Sequence, residues 1–570
     1  MSPQTKKILT AITRKVVSSG VVLLVIWLVL MVLRSNIPED AIEMLNESIR
    51  GQNDLPKISL DSSSWDWDTS LWTGESVSER TESLGNTLKF LAVNGVLSLG
   101  IAALLLYLGI LITKVTTHST WLSRLRSILR LVLVSSGASV PIFAVSVIVS
   151  LCVLTRWDQG SGSPPPSMEF LSVFLPAVIP VWLMVQAGHG EIVSLPENRP
   201  VLKLFRNIII KMIISLFRMT GLILVISIVL RVILEPVLGS VLKDSLLMRD
   251  FPVIFAVTWI FAIIIVMAKL AADLIEIEYE RLLDRDESEG EIEAAKPRLS
   301  PVPGGWLLFC LILTGISVLI ALFGPLLAPY VYNEIILNDR MAGPSAEHLL
   351  GADNLGRDIL SRLIYGLRLD IFAGLTCAGI LAVLASGWAI LAIKMKIMNN
   401  RLGNILEELV LFPGNILSAL PWLLLLILPV VMIMPMPDYN VMFVTFTVCL
   451  ILLPRSTAMI RSLYLFSPEK GNFLRNLSRI LPIVIFFIVP GCIIYISTAT
   501  YWGLGFHPPL PELGNMLTGT GRQYFIQAPW MSVLPCICLA LLLALWVMTG
   551  NALLEKFGFR TKVVWAKAIE

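Results

Sequence analysis

The sequence is short of charge and of catalytic chemistry. Asp, Glu, Lys and Arg make up 15% of it, and histidine occurs four times. His118, His189, His348 and His507 stand far apart, and no element carries paired carboxylates, a nucleophile with its base, or a metal-ligand cluster. A GxxxxGK(S/T) phosphate loop is missing, so the sequence carries no nucleotide site of that type. The seven cysteines (Cys152, Cys310, Cys377, Cys449, Cys492, Cys536 and Cys538) sit inside apolar runs, with neither a disulfide framework nor metal-ligand spacing. Cys536 and Cys538, two apart, point to different sides of a helix. All seven read as small apolar filler, and no enzyme activity is expected.

Apolar sequence fills the space. Hydrophobic residues make up 56% of the 570, mean hydropathy is +0.79, and apolar runs long enough to cross a bilayer recur, which implies a multi-spanning helical membrane protein. Lys6, Lys7, Arg14 and Lys15 precede an apolar run from Val16 to Leu33. That run is too long for a signal-peptide core and reads as an uncleaved first span. Twelve spans are expected, near 16–34, 88–113, 129–154, 168–187, 208–234, 251–275, 306–329, 367–394, 409–433, 441–463, 480–503 and 530–551. Lys/Arg-rich loops (Lys114, Arg124, Arg126 and Arg130; Arg199, Lys203 and Arg206; Lys394, Lys396 and Arg401; Lys470, Arg475 and Arg479) alternate with poor ones. By the positive-inside rule both termini are expected in the cytoplasm.

The expected organisation is a cytoplasmic N-terminus and first span (1–34), an acidic external domain (35–87), the rest of a first half (88–280), a charged, then Pro/Gly/Ser-rich cytoplasmic linker (281–305), a second half (306–555) and a cytoplasmic tail (556–570). Trp65, Trp67 and Trp72 in the external domain suit either an aromatic belt or a ligand surface.

One polar stretch between two spans differs from its surroundings: HLLGADNLGRDILSRLIYGLR, His348 to Arg368. Gly351 and Gly356 are natural turn points. From Arg357 onward the pattern is helical, with Ile359, Leu360, Leu363 and Ile364 on one stripe and Arg357, Asp358, Arg362 and Arg368 on the other sides. Taken alone, this is an amphipathic helix at the headgroup level.

The stretch also resembles the signature of C-type permease subunits of dipeptide/oligopeptide ABC importers, through His348, Leu350, Gly351, Asp353, Gly356, Arg357, Asp358, Ser361, Arg362, Leu363, Ile364, Tyr365, Gly366 and Arg368. Gly403–Gly414 and Tyr501–Trp530 (YWGLGFHPPLPELGNMLTGTGRQYFIQAPW) are similar to later C-type segments, with Leu513 where the family usually has tryptophan. The first half resembles the B-type partner more weakly, at Asp66–Leu88, Ser139–Phe143, Leu175-Pro176, Glu235–Pro252 and Glu276–Asp286.

The resemblance implies an all-α type I ABC importer permease fold, with about twelve helices in two fused six-helix halves. It also implies a bacterial or archaeal inner-membrane location and peptides or similar small solutes as cargo. Two cytoplasmic ATPase subunits would supply the ATP chemistry, and an external substrate-binding protein would deliver the solute. The chain itself needs no cofactor and no nucleic acid; the bilayer is its remaining partner.

The family's cytoplasmic coupling helices fall at 188–207 and 463–479, where the Y-x-x-x-A-x-x-x-G pattern is missing. Glu191, Glu197 and Arg199 with Pro196 and Pro200, and Pro468, Glu469 and Gly471, stand there instead, and proline interrupts a helix. The alternative is therefore an accessory membrane subunit that keeps the fold without transport. Arg357 and Asp358 are candidates to pair with helix neighbours at an external gate, or are solvated. Arg218, in an expected span, lies either near a path for an anionic group or paired with a carboxylate, while Lys211 and Arg231 reach the interfaces.

Overall fold

The computed structural model describes residues 3–35, 84–89, 91–93, 96, 98–100, 201–218, 220, 238–239, 241–242, 245, 250–288, 304–398, 401–419, 440–465, 473–501, 505–517, 524 and 527–557. They are helical apart from the connections. A helix satisfies its own backbone N–H and C=O groups, which hydrocarbon cannot do. The helices are α1 (Pro3–Ser35), α2 (Val201–Arg218), α3 (Phe251–Ser288), α4 (Gly304–Leu327), α5 (Ile359–Ile397), α6 (Arg401–Ala419), α7 (Asn440–Leu465), α8 (Phe473–Tyr501), the single turn α9 (Leu513–Met516) and α10 (Trp530–Lys556). Among the described residues, six helices are long and apolar enough to cross a membrane: α3, α4, α5, α7, α8 and α10.

Several helices start ahead of the expected spans, among them those from Pro3, Val201, Arg401 and Phe473, and two further ends change the expected organisation. α3 runs on to Ser288, into the stretch read as linker. Residues 276–288 are rich in Glu, Leu and Arg, which are strong helix formers, and Glu278 and Arg281 pair at 3.3 Å one turn apart. α5 starts at Ile359 rather than near 367 and has 39 residues. At roughly 1.5 Å per residue it is about 58 Å long against a hydrocarbon core of about 30 Å, so the second part of the polar stretch is the projecting end of a span.

The helices fall into two units. In the first, α3 packs against both α1 and α2, burying Phe251, Phe261, Ile26, Ile208 and Met212 completely. In the second, which holds α4 to α10 with α6 as far as Leu417, α5 is central and packs against α4, α7, α8 and α10. Small residues set how closely these helices approach, as expected where lipid removes the hydrophobic drive to associate. Gly374 of α5 lies against α8, where a Cβ would come within 2.6 Å of Ile493 Cγ1. Gly414 of α6 leaves room for Pro454 of α7. Cys377 and Cys449 meet at 3.4 Å, and Thr314 of α4 shares a 2.8 Å hydrogen bond with Thr549 of α10. α4 leaves Leu308, Phe309, Ile312, Leu319, Leu322 and Phe323 exposed, an apolar surface suited to lipid.

Alanine at Gly374 and at Gly379 of the same helix should act in opposite directions. Nothing lies within 4 Å of a Cβ at Gly379, so Gly379→Ala should leave the thermal midpoint unchanged or raise it. Gly374→Ala should lower it, because the crowded contact costs about 1–3 kcal/mol and exceeds the gain in helix propensity. Melting curves of both variants in nanodiscs check this.

Candidate functional site

The polar stretch closes the connection between α4 and α5 into a folded hairpin. Its tip is a tight turn: Asp353 N donates to Arg357 O at 2.9 Å and Gly356 N to Asp353 O at 3.0 Å. The Asp353 carboxylate accepts from Leu355 N (2.8 Å) and Arg357 N (3.0 Å), so the side chain builds the turn. Gly356 (φ +76°) and Gly351 (φ +84°) take left-handed conformations that cost an L-residue ~1–2 kcal/mol. Neither has room for a Cβ, which would meet Ile336 O at Gly356 and the Trp530 indole at Gly351. A neighbouring segment clamps the turn, with Met341 N donating to Asp353 O and Ala352 N to Ala342 O, both at 2.9 Å.

The charges of this hairpin are buried. His348, Asp353 and Asp358 are 2%, 4% and 3% exposed, and Arg357 and Arg362 are 9% and 6%. Arg357 Nε donates to Asp353 Oδ2 at 2.6 Å, and Arg362 Nε lies 3.7 Å from the same oxygen. Asp358 caps α5 by accepting from Ser361 N and Ser361 Oγ, both at 2.7 Å. Its other oxygen lies 3.0 Å from His348 Nδ1, while His348 Nε2 faces Asp339 Oδ2 at 3.3 Å. Tyr330 packs on the imidazole with ring centroids 5.1 Å apart. Three carboxylates thus face two guanidiniums and one imidazole, and the charges balance when His348 is protonated. Burial lowers the pKa of His348, but the hydrogen bonds and charges of Asp358 and Asp339 outweigh it, so the net direction is up from 6.5. The hairpin is also fastened to α10, where Trp530 Nε1 donates to Ala352 O at 3.1 Å. Such an arrangement pairs its charges with one another; it fixes a folded polar element between two spans.

A second ionic group lies in the first unit. Arg218, at the end of α2, donates to Glu276 at 2.6 Å and lies 3.9 Å from Asp273. Lys15 of α1 reaches Asp273 at 2.8 Å. Of the two roles expected for Arg218, it has the carboxylate partner. Lys211 lies over the Tyr279 ring, 5.8 Å from its centroid.

No family model matches the chain. Among curated proteins it is similar to the dipeptide transport system permease protein DppC of Haemophilus influenzae, 28% identical over 285 residues, 45% of this chain and 90% of that protein. The DppC protein of Alkalihalophilus pseudofirmus is 28% identical over 263 residues, 43% of this chain and 83% of that protein. The glutathione transport system permease protein GsiD of Pectobacterium atrosepticum is 30% identical over 272 residues, again 43% and 83%. The chain belongs to this family of ABC transport permeases. It is a multi-pass membrane protein and the permease component of an ABC importer, and its relatives are transport proteins rather than enzymes.

In this permease the hairpin gathers His348, Gly351, Asp353, Gly356, Arg357, Asp358 and Arg362 into one network, which corrects two expectations. The headgroup-level helix beginning at Arg357 is instead a turn followed by a helix from Ile359, because Asp358 takes the N-cap. Arg357 pairs back to Asp353 rather than along the helix, and is not solvated. His348, far from the other histidines in sequence, is a loop residue held by Asp358 and Asp339. Asp339, Tyr330 and Trp530 were not singled out as site residues. No local pattern marks the first two, and Trp530 showed only as part of the Tyr501–Trp530 match. Glu191, Glu197, Arg199, Pro468, Glu469 and Gly471 lie outside the described residues, as do the tryptophans of 35–87. No group of three His, Cys, Asp or Glu residues that could hold a metal occurs among the described residues.

A histidine with a raised folded pKa gives stability that is complete below its ordinary value of 6.5 and lost as pH rises through the folded value. The thermal midpoint of the wild-type chain should therefore fall as pH rises through and beyond neutrality. His348→Gln should be less stable in acid and lack that fall. Melts across a pH series check this.

Proposed function

We propose that the chain is a fused importer permease, a B-type-like half and a C-type-like half of six spans each, joined through 281–305. It would take up peptides or similar small solutes across a bacterial or archaeal inner membrane, with both termini in the cytoplasm. The observation that carries the reading is the 30% identity over 83% of a glutathione permease, and two further relatives carry dipeptide transport in their names. An aligned share of 43–45% of this chain is about the size of one half, which supports fusion with a second, more divergent half. The folded hairpin supports a defined external rim at which a substrate-binding protein would deliver solute. Two ATPase subunits would supply the power, since the chain has no phosphate loop.

The second reading, a permease-fold accessory subunit without transport, is favoured by the prolines and missing pattern of the two coupling loops. Affinity purification of the tagged full chain from its native host separates the two. The transport reading expects two ATPase subunits to co-purify and the proteoliposomes to accumulate labelled dipeptide only with ATP on the ATPase side. Recovery of the chain without any ATPase subunit supports the accessory role.

A further inference from the structure

Seven buried side-chain polar atoms lack a hydrogen-bond partner among the described residues, and four of them belong to Asp370, Glu512 and Ser497. These three are 1%, 0% and 0% exposed. They sit on three elements that meet near the hairpin end of α5. α5 and α8 run antiparallel, with Gly374 against Ile493 and Val489. One turn toward the start of α5 brings Asp370 level with Ser497. Gly514 of α9 packs directly on the Ser497 backbone, and Gly366 of α5 packs on Pro511 O, so residues 511–514 are wedged between the same two helices. Glu512 caps α9 with one oxygen, which accepts from Asn515 N at 2.8 Å; its other oxygen is unpartnered. The groups that act on Asp370 are the Glu512 carboxyl and the Leu513 N–H, with the Cys538 thiol of α10 nearby. No Lys, Arg or His among the described residues bears on it.

Two carboxylates buried side by side repel each other when both are charged. Salt bridges elsewhere in the second unit neutralise Asp353 and Glu407, whereas Asp370 faces a second carboxyl, a backbone N–H and a thiol, none of them a cation. The unpartnered ligands are all oxygens, the donor set of hard cations. We propose that Asp370, Glu512 and Ser497 bind a hard divalent cation, which ties α5, α8 and the 511–517 segment together beside the hairpin. The carboxylates match its charge, and the Ser497 hydroxyl supplies a third, neutral ligand.

The test uses the full chain in phosphatidylcholine nanodiscs, stripped with EDTA and melted in choline, sodium, magnesium or calcium chloride at equal ionic strength. Calcium or magnesium should raise the midpoint by several degrees over sodium and choline. Asp370→Asn should abolish that shift and, without divalent ions, melt above the wild type because the charge repulsion is gone. Ser497→Ala keeps both charges and should shift the calcium or magnesium titration to several-fold higher concentration; it carries the test if Asp370→Asn does not fold. Equal midpoints in all four salts, a shift of equal size in Asp370→Asn, or a midpoint that follows pH but no cation would overturn the proposal, the last by assigning a shared proton to the pair.

Discussion

A charge removed from water must be met by an opposite charge or by hydrogen bonds, and the second unit of this permease depends on that constraint at the hairpin. Asp353, Asp358, Asp339, Arg357, Arg362 and His348 form a set of opposite charges joined by hydrogen bonds and ion pairs. Removing one partner from such a set leaves the other buried and uncompensated, which costs far more than the pair's net contribution. The set therefore fixes conformation more than it adds stability. It seats the turn on the start of α5 through the Asp358 cap and leaves Ala352 O to receive Trp530 of α10. The two left-handed glycines follow from it, since the backbone must fold back tightly enough to bring Asp353 onto Arg357.

Elsewhere in the second unit the means are different. α5 approaches α8 through Gly374, α6 approaches α7 through Gly414, and α4 meets α10 through two threonine hydroxyls. Glu407 of α6 is held by Arg461 of α7 and by Lys396 at 3.3 Å. In the first unit the ladder Lys15–Asp273–Arg218–Glu276 ties α1, α2 and α3. Charged groups are few in this sequence, and the described ones cluster where helices must be held in register.

The helices were legible because long apolar runs admit few other structures, and the turn at Gly351 and Gly356 was legible because glycine punctuates it. The ends of α3 and α5 were not. Hydropathy stops where charge begins, but helical hydrogen bonding continues through Glu276–Ser288 and begins at Ile359. Asp358 immediately before Ile359 carries an N-cap pattern that hydrophobic periodicity obscured. The burial of Arg357 and Arg362 was hidden for another reason. A period of 3.6 places charges on the far face of an isolated helix, whereas here Asp353 and Tyr332 of the preceding connection reach Arg357 and Arg362. Asp370 and Ser497 stand in apolar runs, and only the packing of α5 on α8 and of Gly514 on Ser497 brings their helices together with the 511–514 segment.

The claim that the charged set makes the hairpin a rigid part of the permease is tested most directly by amide hydrogen exchange of the full chain in nanodiscs. The amides of Gly351, Ala352, Asp353, Gly356 and Arg357, all hydrogen-bonded within the hairpin or to Asp353, should be protected about as well as the first turns of α5. Exchange at the rate of an unstructured loop at these positions, with α5 itself protected, would contradict it.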